Sequence, residues 1–279
     1  MIKKLVLTGA AGRLGSYLRE PLTQMAEELV STDITDDIGA LYEGETYVKA
    51  DLSDLAAMTE VLQGADMVVH FGAIGDEAPF DDILQSNIIG AYNVWEAAHR
   101  NGVRRVVYAS SVHAVGMHRI ADNIGLDAPH RPDSYYGLSK CFAEDLGRMY
   151  WDKRGVESVH MRIFSCAQVV SPRSLSTWLS YDDLIRLVRA AVSAQTVGCS
   201  IVYGISNNDR APVHNLGAGH IGYKPQDNAE QFAEKILAEA APADPTDLAQ
   251  MCIGGPFATI DLGESGVAQL TIIDDSKKT

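Results

Sequence analysis

An α/β fold of the doubly wound type, a parallel sheet covered on both faces by helices, is what this sequence predicts, and three observations carry it. Apolar runs of strand length alternate with amphipathic stretches of helix length through residues 1–164. The first run, residues 2–8, passes directly into Gly9-Ala10-Ala11-Gly12-Arg13-Leu14-Gly15 and then into an amphipathic stretch to about Met25. Farther on, Ser110-Ser111 closes an apolar run and Tyr136-Gly137-Leu138-Ser139-Lys140 opens a helix. Polar groups at strand ends belong at the carboxyl edge of the sheet, where open parallel sheets bind their ligands.

Residues 2–8 read as a buried strand. The glycines after it permit a tight turn and close backbone approach, so that the next helix offers its N-terminus to a pyrophosphate. Gly9, Gly12, Arg13, Leu14 and Gly15 are therefore candidate cofactor contacts of a Rossmann-type unit. A second strand, residues 28–32, ends at Asp33, eighteen residues after Gly15. A carboxylate there accepts both ribose hydroxyls of an adenosine and repels a 2′-phosphate, which favours NAD over NADP. The plainer alternative is a capping aspartate in a polar loop. Strand three, residues 46–50, runs into Asp51-Leu52. Strand four, 67–71, runs into Gly72-Ala73-Ile74-Gly75, a bare backbone suited to a path beside a diphosphate.

Residues 82–100 read as one amphipathic helix containing Asn87, a residue equally suited to bridging two helices. Strand five, 105–110, delivers Ser111. A polar loop with His113, His118, Pro129 and Pro132 follows, then a helix from Tyr135 to about Lys153 and strand six at 158–164. Beyond it the alternation slackens. Ser180 and Asp183 form a capping box before an amphipathic helix, 199–204 is a short strand, and 229–241 is another helix. The expected organisation is thus a dinucleotide-binding domain, 1–164, and a small substrate-binding region, 165–279, intertwined with it. Residues 242–279, rich in proline, glycine and acidic side chains, say little.

The chemistry is concentrated in Ser111, Tyr136 and Lys140. On a helix, positions i and i+4 share a face, so Tyr136 and Lys140 present a phenol and an ammonium to one small volume. A free tyrosine titrates near pH ~10, and a neighbouring cation lowers that value. Ser111 would hydrogen-bond the oxygen that gains or loses the proton. The set is an acid/base device for interconverting an alcohol and a carbonyl. Tyr-x-x-x-Lys occurs by chance in many helices, and its position after a dinucleotide fingerprint is what gives it meaning.

Composition excludes several classes. The net charge of -14, from 23 basic and 37 acidic residues, argues against nucleic acid or an anionic membrane as partner. Cys141, Cys166, Cys199 and Cys252 are widely spaced with no Cys-x-x-Cys, and the eight histidines show no zinc spacing, so no metal is expected. The cysteines fit a reducing compartment. No apolar run approaches the ~18 residues of a membrane span, and Met1-Ile2-Lys3-Lys4 does not open a signal peptide. A cytoplasmic enzyme with a small-molecule substrate is expected.

The chain resembles the uronate dehydrogenases of the extended short-chain dehydrogenase/reductase superfamily, from the glycine pattern to about Phe257. The narrower parts of the resemblance are Ser110-Ser111-Val112-His113, Tyr136 to Phe142, Arg162 to Cys166, Arg173 to Ser180, Gly222 to Pro225 and Gly254 to Phe257. It implies Tyr136 as base, Ser111 and Lys140 as its partners, and Arg173 as the clamp on a substrate carboxylate. His113, Ser165 and Phe257 would line or close the sugar pocket. Asp51 and Leu52 would flank the adenine, Gly72, Ala73 and Ser165 would border the cofactor, and Asn87 would order the site. On residues alone, His113 reads as a surface histidine and Arg173 as a solvated loop arginine. Two departures stand out: Val112 occupies the place of a common asparagine and Gly75 that of a pocket serine.

The implied reaction is NAD-dependent oxidation of D-glucuronate or D-galacturonate at C1 to the aldarolactone. Helices 82–100 and 135–153 would pair about a two-fold axis, as in relatives, to give a homo-oligomer. The rival enzyme is an NAD-retaining nucleotide-sugar epimerase or dehydratase, which needs a larger carboxyl-terminal region than this chain has. A non-catalytic NAD-sensing protein is the rival from another class, and it would have no use for a tuned phenol.

Overall fold

The computed structural model describes residues 2–265, so Met1 and the last part of the predicted substrate region, 266–279, lie outside the described residues. Seven parallel strands form one sheet in the order β3-β2-β1-β4-β5-β6-β7. They are β1 (Ile2–Thr8), β2 (Ala26–Asp33), β3 (Glu45–Lys49), β4 (Met67–His70), β5 (Arg105–Tyr108), β6 (Glu157–Ile163) and β7 (Cys199–Gly204). The chain winds outward from β1 in one direction and from β4 in the other, so the crevice where ligands bind opens between these two neighbours. The strand predicted at 199–204 is the far edge of this same sheet.

Side-chain alternation explains the two layers. Along β1, Leu5 and Leu7 face one side and Val6 the other. The first side packs on α1 (Arg13–Thr23) through Leu18 and Leu22; its other cover, the late helix Tyr181–Ser193, supplies Leu184, Leu187 and Val188. The second side packs on α2 (Leu55–Val61), on the helical segment that begins with α3 (Phe80–Ile83) and ends with α4 (Gly90–Arg100), and on α5 (Tyr135–Arg154). Ser134 caps α5, its hydroxyl accepting Gly137 N–H at 2.9 Å, and Gly155 ends it at φ +71°. After β6 come α6 (Pro172–Thr177) and α7, the covering helix Tyr181–Ser193. Among the described residues no helix is long and apolar enough to cross a membrane.

Three expectations change. The helix expected at 82–100 starts at Phe80 and widens into π turns over Leu84–Ile89, because Asn87 is drawn inward onto the Ile74 backbone. The helix expected at 229–241 is a 3-10 turn, Ala229–Phe232, followed by α8, Ala233–Ala238 only; the alanines before Pro242 do not continue it. The uninformative tail contains α9 (Leu248–Met251) and a 3-10 turn, Gly255–Ala258, that carries Phe257 to the site.

Beneath the carboxyl edge lies a buried charge network. Glu144 accepts the Ser110 hydroxyl at 2.6 Å, two N–H groups of Arg162 at 3.0 and 2.8 Å, and His130 at 2.8 Å. Burial alone would raise this carboxyl, but the bonds from His130 and Arg162 hold it down at about 2. Glu144→Gln would leave the Arg162 guanidinium buried without its counter-charge, at a cost of about 3–5 kcal/mol in chemical denaturation. Because the folded value is depressed, the stabilisation in the parent is complete above the ordinary value of 4.5 and fades as pH falls toward 2. Denaturation midpoints of the two proteins should therefore converge on acidification.

Candidate active site

The glycine turn is built by exclusion of side chains. Gly9 sits at φ +72°, and a Cβ there would lie 2.5 Å from Gly72 N; a Cβ at Gly15 would overlap the Gly9 carbonyl. Only bare backbone lets β1, the loop after β4 and the first turn of α1 come this close. Asp33, at the end of β2, accepts Ala11 N–H at 2.9 Å and Ile34 N–H at 2.8 Å, which fixes its carboxylate at the rim. A cavity of about 570 Å³ runs from Gly9 and Gly12 past Asp33, Asp51, Leu52, Gly72 and Ala73. A second, of about 450 Å³, shares Gly9, Gly12 and Ala73 with the first and also meets Arg13, Leu14 and Gly15. Arg13 crosses between the two halves of the molecule, donating to the Cys166 carbonyl and to Tyr181 Oη.

The second cavity gathers Ser111, His113, Tyr136, Lys140, Ser165, Arg173 and Phe257. Lys140 is 2% exposed; its Nζ donates to the Ala109 carbonyl at 2.9 Å and lies 5.2 Å from the Tyr136 ring centre. Burial pushes the amine down to about 7, against the pull of Glu144. The phenol of Tyr136 moves opposite to the expectation from its neighbouring lysine. Burial pushes it up to about 12, the Ser111 hydroxyl lowers it, and the charges of Asp133 and Asp76 raise it. Desolvation is the largest of these effects, and Lys140 is itself enclosed and pushed down by burial.

Arg173 points into the molecule. Its Nη2 donates to the Ile253 carbonyl at 2.6 Å, while Nη1 is enclosed with no hydrogen-bond partner among the described residues. Burial lowers this guanidinium to about 10, opposed by Asp133. Gly255 adopts φ +65° directly against it, where a side chain would collide with Nε. Phe257 stacks on the His113 ring at 3.9 Å. Asn87 is on the wall of neither of these two cavities. It accepts Ile74 N–H at 2.8 Å and donates to the Ile74 carbonyl and Ser139, so it pins the loop after β4 from behind.

Two residues escaped the sequence reading. Glu77, 2% exposed, accepts Tyr136 N–H at 2.7 Å, Tyr135 N–H at 3.1 Å and Gly263 N–H at 2.9 Å, so it joins the start of α5 to the carboxyl-terminal segment. Asp133 holds His113 Nδ1 at 2.8 Å. The only available signal was an acidic residue close before a helix N-terminus, as Asp133 is to α5. Glu77 is 58 residues from Tyr135, and no local pattern announces it.

A helix N-terminus behind glycines, a rim carboxylate and a pair of meeting cavities fit an extended dinucleotide whose reactive end lies beside a buried phenol. Such an arrangement defines a class, the nicotinamide-dependent dehydrogenases of short-chain type. Residues 5–203 match the NAD dependent epimerase/dehydratase family. The uronate dehydrogenase of Pseudomonas putida strain KT2440 is 44% identical over 260 residues, covering 91% of this chain and 97% of the relative. The crystal structure of glucuronic acid dehydrogenase from Chromohalobacter salexigens superposes with a TM-score of 0.90 at 41% identity, over 94% of this chain and 98% of that one. A mutant uronate dehydrogenase from Agrobacterium tumefaciens, complexed with NAD, gives 0.88 at 43% identity, over 94% and 98%. The chain therefore belongs to the NAD-dependent epimerase/dehydratase family and, within it, to the uronate dehydrogenases. Its cofactor is NAD.

Gly15→Ala tests the cradle. A methyl group against the Gly9 carbonyl forces the backbone of the turn to shift, so NAD affinity by calorimetry should fall at least tenfold and the melting temperature measured without NAD should fall as well.

Proposed function

We propose that this enzyme oxidises C1 of a hexuronic acid, D-glucuronate or D-galacturonate, to the aldarolactone with NAD+. The observation that carries the substrate class is the Arg173 guanidinium, enclosed at the wall of the Tyr136 cavity with Nη1 unpaired. A carboxylate meets a guanidinium with parallel charge-assisted hydrogen bonds, each contributing about 1.5–3 kcal/mol. A neutral aldose leaves that group unsatisfied and is rejected for that reason.

Anchored by its carboxylate on Arg173, the ring presents C1 to Tyr136, and that positioning supplies much of the rate. The phenol oxygen takes the proton of the C1 hydroxyl, with the Ser111 hydroxyl sharing the oxygen on which charge changes. When bound, NAD+ would supply the acceptor for the hydride of C1 and, before that transfer, a positive charge near the phenol. His113, Ser165 and Phe257 line or close the sugar pocket, and Asp33, Asp51, Leu52, Gly72 and Ala73 support the adenosine half. Loss of one proton from the Lys140–Tyr136 pair gives either a neutral amine beside a phenol or an ammonium beside a phenolate. The second distribution is the base, and both have the same proton count.

In this reading the described part of the predicted substrate-binding region, residues 165–265, is intertwined with the dinucleotide-binding part and contributes Ser165, Arg173 and Phe257 to the cavity. The four free cysteines support a reducing, cytoplasmic setting. Exposed Leu138, Phe142 and Met149 along α5 support a homo-oligomer.

NADH formation with uronates and with neutral hexoses tests the substrate. Oxidation of glucose as fast as glucuronate would overturn the assignment, and Arg173→Met should lower kcat/KM for glucuronate about a hundredfold, mainly through KM. Tyr136→Phe should abolish turnover and keep NAD binding. Retention of a tightly held nucleotide on dialysis, with no net NADH, would favour the epimerase rival instead. The kcat/KM profile should rise as pH passes about 7, where the lysine–tyrosine pair gives up its first proton. In Lys140→Met the rise should move upward, toward the range of the isolated buried phenol. An unchanged profile in that variant would remove Lys140 from the proton device.

A further inference from the structure

Asp133 is a carboxylate that the reaction above leaves unused. It lies three residues ahead of Tyr136, its side chain is wholly buried, and it is not on the wall of the cavity. One oxygen, Oδ2, is 2.8 Å from His113 Nδ1; the other, Oδ1, accepts the Ser134 hydroxyl at 2.8 Å. The surrounding chain is shaped to this group. A Cβ at Gly116 or Gly254 would overlap Oδ2, and one at Gly137 would lie 3.1 Å from Oδ1. The start of α5 and two segments around Gly116 and Gly254 thus close on one carboxylate because each is bare at the point of contact. Desolvating a carboxylate is unfavourable, so its bonds to His113 and Ser134 must be kept for it to remain there.

His113 is held on its other sides as well. Its ring stacks on Phe257 at 3.9 Å and meets the Tyr136 ring edge-on at 5.7 Å. With Nδ1 engaged, Nε2 is the nitrogen left for the cavity that His113 lines. A carboxylate accepts hydrogen bonds and donates none, so of the two tautomers of a neutral imidazole it selects the one with its hydrogen on Nδ1 and its lone pair on Nε2. A histidine without such a partner would present donor and acceptor forms to a sugar indifferently.

We infer that Asp133 is a positioning residue for specificity: it fixes His113 as a hydrogen-bond acceptor, so that the site selects a ring with a donating hydroxyl beside the reacting carbon. The inference rests on the hexuronate reading for its substrate and on geometry alone for the tautomer. A ring lacking that hydroxyl leaves Nε2 facing an apolar group, and the loss appears as discrimination between sugar acids.

The tautomer is measured directly by 15N NMR of the full-length protein labelled at histidine, with His113→Ala identifying the signals. Hydrogen on Nδ1 and a bare Nε2 near pH 8 is the expected result; a predominant Nε2–H form overturns the inference, whatever the substrate proves to be. The kinetic arm uses Asp133→Asn, His113→Ala and the double variant with D-glucuronate and its 2-deoxy analogue. Asp133→Asn should raise KM for glucuronate about tenfold, with a much smaller change for the deoxy sugar, and should add nothing in the His113→Ala background. An equal loss in both backgrounds assigns Asp133 a purely structural role and overturns the inference. If Asp133→Asn does not fold, the NMR result on the parent decides. Failure of the parent to oxidise any hexuronate would sink the substrate reading alone, since the NMR arm needs no sugar.

Discussion

The whole site depends on one short contact across the carboxyl edge of the sheet, the Lys140 amine on the Ala109 carbonyl at 2.9 Å. It ties the second turn of α5 to the chain just after β5, and Tyr136, one turn earlier on the same helical face, is thereby held over the cavity. The contact requires an amine in a place that strips its hydration, and the consequence is a lysine that titrates near neutrality. A phenol pushed up and an amine pushed down leave a pair whose single remaining proton has two nearby homes. The same burial that opposes ionisation of either group alone makes the pair a proton store at the edge of the pocket. Glu144, one turn beyond Lys140 on α5, extends this economy inward, holding Ser110 beside Ser111 and neutralising Arg162 under the strand ends.

Much of this was legible in the sequence because it is local. A strand, a three-glycine turn and a helix within the first 23 residues carry their own geometry, and the i, i+4 spacing of Tyr136 and Lys140 states their shared face. Illegible were interactions between segments distant in sequence. Glu77 reaches across 59 residues to Tyr136 and 186 to Gly263, and its value lies in geometry no spacing encodes. The direction of the Tyr136 shift was missed for a related reason. Counting a neighbouring cation is possible from spacing, whereas the desolvation that outweighs it is a property of the packed interior. The π turns at Leu84–Ile89 are likewise a tertiary effect, since amphipathic periodicity cannot register one widened turn paid out to let Asn87 reach Ile74.

Arg173 presents the opposite case, a residue whose sequence context is bland and whose structural context is not. A loop arginine reads as solvated, yet α6 and the carboxyl-terminal segment enclose it between Ile253 and Gly255. Gly255 in the left-handed region is what permits that approach. The carboxyl-terminal segment thus has two attachments to the site, Gly263 on Glu77 and Ile253 on Arg173, with Phe257 between them against His113. Phe257, Arg173 and the start of α5 are thereby parts of one assembly around the Tyr136 cavity.

That assembly also answers an electrostatic difficulty. A chain of net charge -14 is a poor attractor of anions at long range, and proposing that it binds a sugar acid seems to set the molecule against its substrate. At physiological ionic strength, however, exposed charges are screened beyond about 8 Å, so the distant acidic surface contributes little inside the cavity. What the carboxylate meets is the local field, where Arg173 Nη1 is buried and unpaired and screening is weak. Asp133, close enough to oppose the lowering of Arg173, is not on the wall of the cavity, and its two oxygens are engaged by His113 Nδ1 and the Ser134 hydroxyl. The sign of the whole surface and the sign of the cavity are therefore independent, and in the proposed reading the substrate carboxylate meets a guanidinium whose Nη1 has no hydrogen-bond partner among the described residues.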